Sequence, residues 1–136
     1  MRCFVELRQG QRRNGQQQLE VLAVVQGVEE GGDPAEAAGP LAAADIVVNA
    51  TTVGMGDPGP DDLPLDPAPL HAGQLVVDIV YRPLETPLLA AARRQGATAV
   101  NGVPMLVHQA AVAFELWTGV PAPVADMSLS VAELLS

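Results

Sequence analysis

The sequence contains no lysine and only one cysteine, Cys3. All seven basic side chains are therefore arginine, set against 16 acidic ones for a net charge of −9. So acidic a chain repels nucleic acid and anionic membrane surfaces, which excludes both as expected partners. One cysteine permits neither an intrachain disulfide nor a cysteine-based zinc site, and the two histidines have no cysteine neighbours to complete one. Aromatic residues are just 3%, so Ala, Val and Leu must build the core. No apolar run approaches the ~18 residues of a membrane span, and the start lacks a signal peptide's apolar stretch. The expected location is cytoplasmic. A G-x-S-x-G element for nucleophilic hydrolysis is also missing.

What is present suits one small folded domain: 136 residues, 49% of them hydrophobic and 17% charged. Residues 1–40 form a poorly readable lead-in. Arg2, Arg8, Arg12 and Arg13 crowd its start, which reads as a solvated, poorly ordered segment rather than a basic arm for phosphates. The polar tract from Gln9 to Gln18 reads as loop, Val21–Val25 as a short buried strand, and Asp33-Pro34 as the capped start of a small helix reaching Ala38. From Asp45 the pattern sharpens. Asp45–Ala50 and Gln74–Val80 are strands without alternation, as expected where both faces are covered. Between them lies a loop, Thr51 to Gly73, whose prolines exclude a continuous helix. Thr86, Pro87, Arg93, Arg94 and Gly96 mark both ends of the next helix. A third strand, Ala97–Val100, precedes a helix from Pro104 to Thr118, stopped by Gly119; Ser130 and Glu133 have capping-box spacing in a last helix. Alternating strands and helices predict an α/β fold: a partial parallel sheet with flanking helices, truncated relative to a full dinucleotide-binding domain.

Gly54-Met55-Gly56-Asp57-Pro58-Gly59 matches the G-x-G-x-x-G pattern after a strand, but Pro58, Pro60 and Pro64 prevent the helix whose amino end would face a pyrophosphate. The literal dinucleotide motif is rejected. Asn49–Gly54 still occupies a strand end, where ligands of open α/β sheets bind, and suits a ligand loop and an ordinary turn equally. On the long helix, Gln109 is the polar member of a stripe formed with Met105, Val112 and Leu116. If buried, its amide needs partners, since leaving it unmet costs about 1–3 kcal/mol. Nearby backbone is the favoured partner on the residues alone; a hydroxyl-rich ligand is the other. His108 and Glu115 fall on the expected solvent face. Tyr81, the single tyrosine, stands just past the second strand, placed either to enter the same crevice or to pack at the strand end.

Three separated segments then resemble the shikimate dehydrogenase family. They are Asn49-Ala50-Thr51-Thr52-Val53-Gly54-Met55; Asp78-Ile79-Val80-Tyr81-Arg82-Pro83 with Thr86-Pro87-Leu88-Leu89; and Asn101–Ala111 followed by Ala113–Gly119. In order and spacing they are similar to that family over about residues 41 to 135, which marks 41–136 as a cofactor-side, Rossmann-like domain. The resemblance implies that Tyr81 and Gln109 contact the substrate, and that Ile79, Gly102 and Met105 line the nicotinamide end of NADP. It also implies that Asn49, Ala50 and Thr51 pass close to the cofactor. The family reaction is reversible hydride transfer between NADPH and the ring ketone of 3-dehydroshikimate, giving shikimate. Its proton-transfer pair, a Lys and an Asp on an amino-terminal domain, has no counterpart in a sequence without lysine, so no catalytic residue is assigned here. The phosphate loop and the segment for the adenosine 2′-phosphate are likewise unrecognisable, Arg12-Arg13-Asn14 being a weak echo. The expected partners are shikimate or 3-dehydroshikimate and either a substrate domain on other residues or a second copy. A non-catalytic binding or assembly domain of the same fold is the alternative.

Overall fold

A computed structural model of the chain describes Cys3–Leu7, Val21–Val25 and residues 34–135. Five strands, β1 (Cys3–Leu7), β2 (Val21–Val25), β3 (Ile46–Asn49), β4 (Leu75–Asp78) and β5 (Thr98–Val100), form one sheet in sequential order. β2 to β5 are parallel, and β1 pairs antiparallel with β2 at one edge. The helices are α1 (Pro34–Ala43), α2 (Pro87–Arg94), α3 (Val103–Thr118) and α4 (Val124–Leu135). The α/β, mainly parallel arrangement agrees with the expectation. The break in legibility near residue 40 is not a break in the sheet, since Val24 pairs in register with Asn49.

β3 and β4 are placed side by side, Val47 opposite Val76 and Asn49 opposite Asp78. Burial alternates along both strands, in place of the uniform covering expected. Val47 and Val76 face a core completed by Leu41, Ala44, Leu70, Leu88, Ala92 and Ala97, while Ile46, Val48, Leu75 and Val77 are half-buried among the described residues. A parallel connection ordinarily covers its sheet with a helix. Here the proline-rich connection has none, and Leu63, Leu65 and Leu70 pack on the core instead.

The helix boundaries follow local chemistry. Thr86 caps α2 by accepting from the Leu89 N–H at 3.3 Å, and Gly96 adopts φ +85° just past its end. Gly119, at φ 68°, stops α3 as expected. Four expectations need correction. The arginine-rich start contributes a strand, β1, because Cys3–Leu7 finds a partner in β2. α1 runs on to Ala43, past the expected end at Ala38. Ser130 lies inside α4 and caps nothing; the first turn is closed by Met127 N–H donating to the Pro123 carbonyl. The fourth concerns Gln109 and is taken up with the site. The Gln9–Gln18 tract, Asp33, and Arg2, Arg8, Arg12 and Arg13 lie outside the described residues.

The carboxyl end of α1 has no basic residue of its own, and two side chains from the β4 approach satisfy its carbonyls. Gln74 Nε2 donates to Leu41 O and Ala44 O, both at 2.8 Å, and its Oε1 accepts from His71 N–H at 2.8 Å. The His71 ring nitrogens lie 2.8 Å from Ala72 O and 3.0 Å from Ala42 O. Only the doubly protonated imidazolium donates to both, so the Ala72 carbonyl and then the Ala42 carbonyl raise the pKa above its ordinary 6.5, partial desolvation opposing them. With the folded value raised, the stabilisation is full below the unfolded pKa and is lost as pH rises through the folded one. Subtracting the stability curve of His71→Ala from that of the unaltered chain should leave a difference that is constant well below pH 6.5 and falls as the pH rises above it. A flat difference would refute the clamp.

Candidate functional site

Because β3, β4 and β5 are parallel neighbours, their carboxyl ends share one edge of the sheet. Hydrogen bonds tie the segments leaving that edge to one another. Ile79 N–H donates to Asn49 O at 3.0 Å, and Gly56 N–H to Arg82 O at 3.0 Å, joining the loop after β3 to the segment after β4. Gly102 N–H donates to Val80 O at 3.0 Å, and Asn101 Nδ2 to Leu84 O at 3.1 Å, joining the start of α3 to that same segment. Asn49, Ala50, Thr51, Ile79, Tyr81, Gly102 and Met105 thus belong to one continuous rim. In an open α/β sheet this edge is where ligands sit.

Under the rim the buried face of the sheet turns polar. Asp78 is 0% exposed and Asn49 1% exposed. Asp78 Oδ1 accepts from Asn49 Nδ2 at 3.0 Å and from Val80 N–H at 3.1 Å, and Oδ2 accepts from Thr86 Oγ1 at 2.7 Å. Asn49 Oδ1 in turn accepts from Thr51 N–H at 3.0 Å and Thr51 Oγ1 at 2.8 Å, and Thr51 Oγ1 accepts from Val53 N–H at 3.2 Å. Hydrogen bonds to a carboxylate are roughly twice as strong as neutral ones, so the centre of this network is its firmest part. The Asn49 amide bonds inside the protein through both its nitrogen and its oxygen, so it supports the loop above it. Sequence reasoning places Asp78 and Thr86 in a resembling segment but gives Asp78 no site role and Thr86 only that of a helix cap. An Asn ending one strand and an Asp ending the next is the signal that could have found them.

The remaining residues divide by exposure. Tyr81 is exposed, Ile79 and Thr51 are half-buried, Ala50 and Met105 are exposed and Gly102 is buried. A Cβ on Gly102 would lie 2.0 Å from the Ile79 carbonyl oxygen, so only glycine lets α3 start this close to β4. Gly54 is favoured for a different reason, its φ of +89°; a Cβ added there would meet Thr86 Cβ at 3.4 Å, an ordinary contact. The loop holding Gly54, Gly56 and Gly59 opens no helix, in keeping with the rejected dinucleotide motif. Gln109 corrects an expectation: it is exposed, with Met105, Val112 and Leu116 of the same stripe. α3 buries Val107 and Ala111 instead. Among the described residues no group of three His, Cys, Asp or Glu is placed to hold a metal. No described helix is long and apolar enough to cross a membrane.

Comparison with known proteins bears out the expected resemblance. The family model described as the shikimate 5′-dehydrogenase C-terminal domain matches residues 102–128. A shikimate dehydrogenase (NADP(+)) of Moorella thermoacetica is 48% identical over 93 residues, covering 68% of this chain and 31% of that protein. Among solved structures, the Thermus thermophilus shikimate 5-dehydrogenase in complex with NADP(H) and shikimate is similar with a TM-score of 0.64. It shows 36% identity, over 71% of this chain and 36% of its own. The Corynebacterium glutamicum quinate dehydrogenase in complex with NAD is similar with a TM-score of 0.66 and 40% identity, over 75% of this chain and 36% of its own. The chain spans about a third of the curated relatives it matches, 31% in the Moorella case.

Proposed function

We propose that this chain, similar to shikimate dehydrogenases over its last two thirds, supplies the cofactor side of an NADP-linked enzyme that interconverts 3-dehydroshikimate and shikimate. One observation carries the reading: the three segments that resemble the family, distant in sequence, are hydrogen-bonded into a single rim at the sheet's carboxyl edge. Residues 41–136 carry the family-like part of this domain, whose sheet continues through β2 and β1. Ile79, Gly102 and Met105 line the nicotinamide; Ala50 and Thr51 approach the cofactor through the loop that Asn49 supports. Tyr81 supplies a phenol, and Gln109 an exposed amide, to the substrate's hydroxyl and carboxylate groups. NADP is preferred over NAD on the names of the curated relatives, although the quinate dehydrogenase is comparably similar and holds NAD.

When bound, the nicotinamide supplies the hydride chemistry. This chain's part is to orient it and the substrate and to exclude water from between them. With no lysine in the sequence, the proton transfer that accompanies the hydride must come from other residues. The pure chain should therefore oxidise shikimate with NADP+ at least about 100-fold more slowly than a full-length relative, since positioned acid–base groups contribute ~10²–10⁴. Initial rates of NADPH formation check this. Turnover within tenfold of a relative's, by an unambiguous rate, would overturn the assignment of roles.

A second reading, an assembly domain with no ligand, is favoured by exposed apolar side chains on the last two helices. Leu116 is 78% exposed, Trp117 85% and Leu134 80%, and α4 buries no residue among those described. Exposed apolar surface marks interaction sites where it is contiguous. Light scattering alongside calorimetric titration with shikimate and NADP+ separates the two. Self-association without any heat of ligand binding supports assembly alone.

A further inference from the structure

We infer that Asp78 is a positioning residue that couples the start of α2 to the loop after β3, so that the rim's two ligand-bearing segments hold one fixed spacing. The ligand side of this inference rests on the proposed dehydrogenase reading; the coupling itself does not. The geometry is a linear chain of bonds, buried from Leu89 to Asn49 and part-buried at Thr51. The Leu89 N–H donates to Thr86 Oγ1, Thr86 Oγ1 donates to Asp78 Oδ2, Asn49 Nδ2 donates to Asp78 Oδ1, and Thr51 donates twice to Asn49 Oδ1. Asp78 and Asn49 are register partners on adjacent strands, so the sheet already holds them at bonding distance. Val80 N–H closes on the same carboxylate oxygen and fixes the exit of β4 towards Tyr81.

Each member has its hydrogen-bonding capacity committed in one sense. The carboxylate only accepts, which obliges the Thr86 hydroxyl to donate to it and leaves that oxygen's lone pairs to the Leu89 N–H. The Asn49 amide must present its NH2 to Asp78, so its oxygen faces Thr51. Orientation therefore passes from one end to the other without a choice at any link. The donors meeting Asp78 are all neutral, and among the described residues no buried side-chain polar atom lacks a partner. Three directional bonds hold it by angle, which is what placing a loop requires.

The test is amide hydrogen exchange by NMR on the full chain, comparing Thr86→Val with the conservative Thr86→Ser. Gly54 is left out of the readout because a side-chain carbon there would already be in contact with Thr86. In Thr86→Val the Thr51 N–H, two side chains away, should exchange about tenfold faster, as the loss of one bond to a charged group implies. Thr86→Ser, which keeps the hydroxyl, should restore protection. Unchanged Thr51 exchange in a folded Thr86→Val chain overturns the coupling. Should that variant not fold, Asn49→Ala is read at the Leu89 N–H from the opposite end, with faster exchange supporting the coupling and unchanged exchange overturning it. NADP+ titration is the separate arm. Weaker binding by Thr86→Val, rescued in Thr86→Ser, extends the coupling to the ligand. If the unaltered chain binds no NADP+, the dehydrogenase reading fails while the exchange data still decide the coupling.

Discussion

Replacing Gly102 with alanine should lower the melting temperature by about 10 °C or more, the largest effect expected from any single methyl group in this chain. The residue's own backbone, at φ −74° and ψ −7°, suits alanine well, so conformational freedom is not the issue. The obstacle is the far wall. The added Cβ would lie 2.0 Å from the Ile79 carbonyl oxygen, 2.5 Å from its carbon and 3.1 Å from its Cα. All three are backbone atoms of the segment leaving β4, which cannot rotate away as a side chain would. Either α3 withdraws, breaking the Gly102 N–H to Val80 O bond, or the β4 exit shifts and disturbs Ile79 and Tyr81. Overpacking into a soft core costs about 1–3 kcal/mol, and rigid backbone puts this case at or above the upper end. Thermal denaturation followed by circular dichroism measures it. A melting point within about 2 °C of the unaltered chain's, a small shift for a domain this size, would show that the close approach does not exist.

The second large effect is expected at Gln74. This side chain is buried and meets three backbone groups, the Leu41 and Ala44 carbonyls and the His71 N–H. Gln74→Leu keeps the bulk but leaves those groups without partners. At about 1–3 kcal/mol for an unmet buried group, partly offset by water entering near the exposed His71, the net loss should be about 2–4 kcal/mol. Gln74→Glu is the sharper comparison. Its shape is retained, yet an ionised carboxylate would face two carbonyl oxygens in place of an NH2 that donates to both. It should therefore be less stable than Gln74→Leu at neutral pH, and should recover as acid protonates the carboxyl. Urea denaturation of the three chains at two pH values checks the order. Equal stability of Gln74→Glu and the unaltered chain would remove Gln74 from its place at the end of α1.

How legible these features are depends on the range of the interaction behind each. α2 is legible at both ends, because Thr86, Pro87 and Gly96 act on backbone groups within a turn of themselves. The proline-rich connection is legible for the same reason. β1 is not, because a five-residue strand flanked by arginines is stabilised by its partner, Val21–Val25, and by little of its own. The packed face of α3 is hidden because Val, Leu, Ala and Met occur nearly all round it, and periodicity then cannot distinguish one side. Val107 and Ala111, small enough for close approach, take that position. Gln109 consequently looks like the polar member of a packed stripe when it is exposed, while its membership of the helix that leaves the rim is plain from the letters.

By itself the sequence determined the elements from β2 onward, their order, the exclusion of a helical phosphate-binding turn after β3, and the resemblance carried by three short segments. These are consequences of backbone chemistry within a few residues, or of identity letter by letter. Tertiary structure alone decided that the segments meet on one rim, that Asn49 is spent inward on Asp78, and that Gln74 and His71 close α1. Such contacts join residues 17 to 33 positions apart, and which polar groups become partners is set by strand register, since burial makes an unpartnered one too costly to keep.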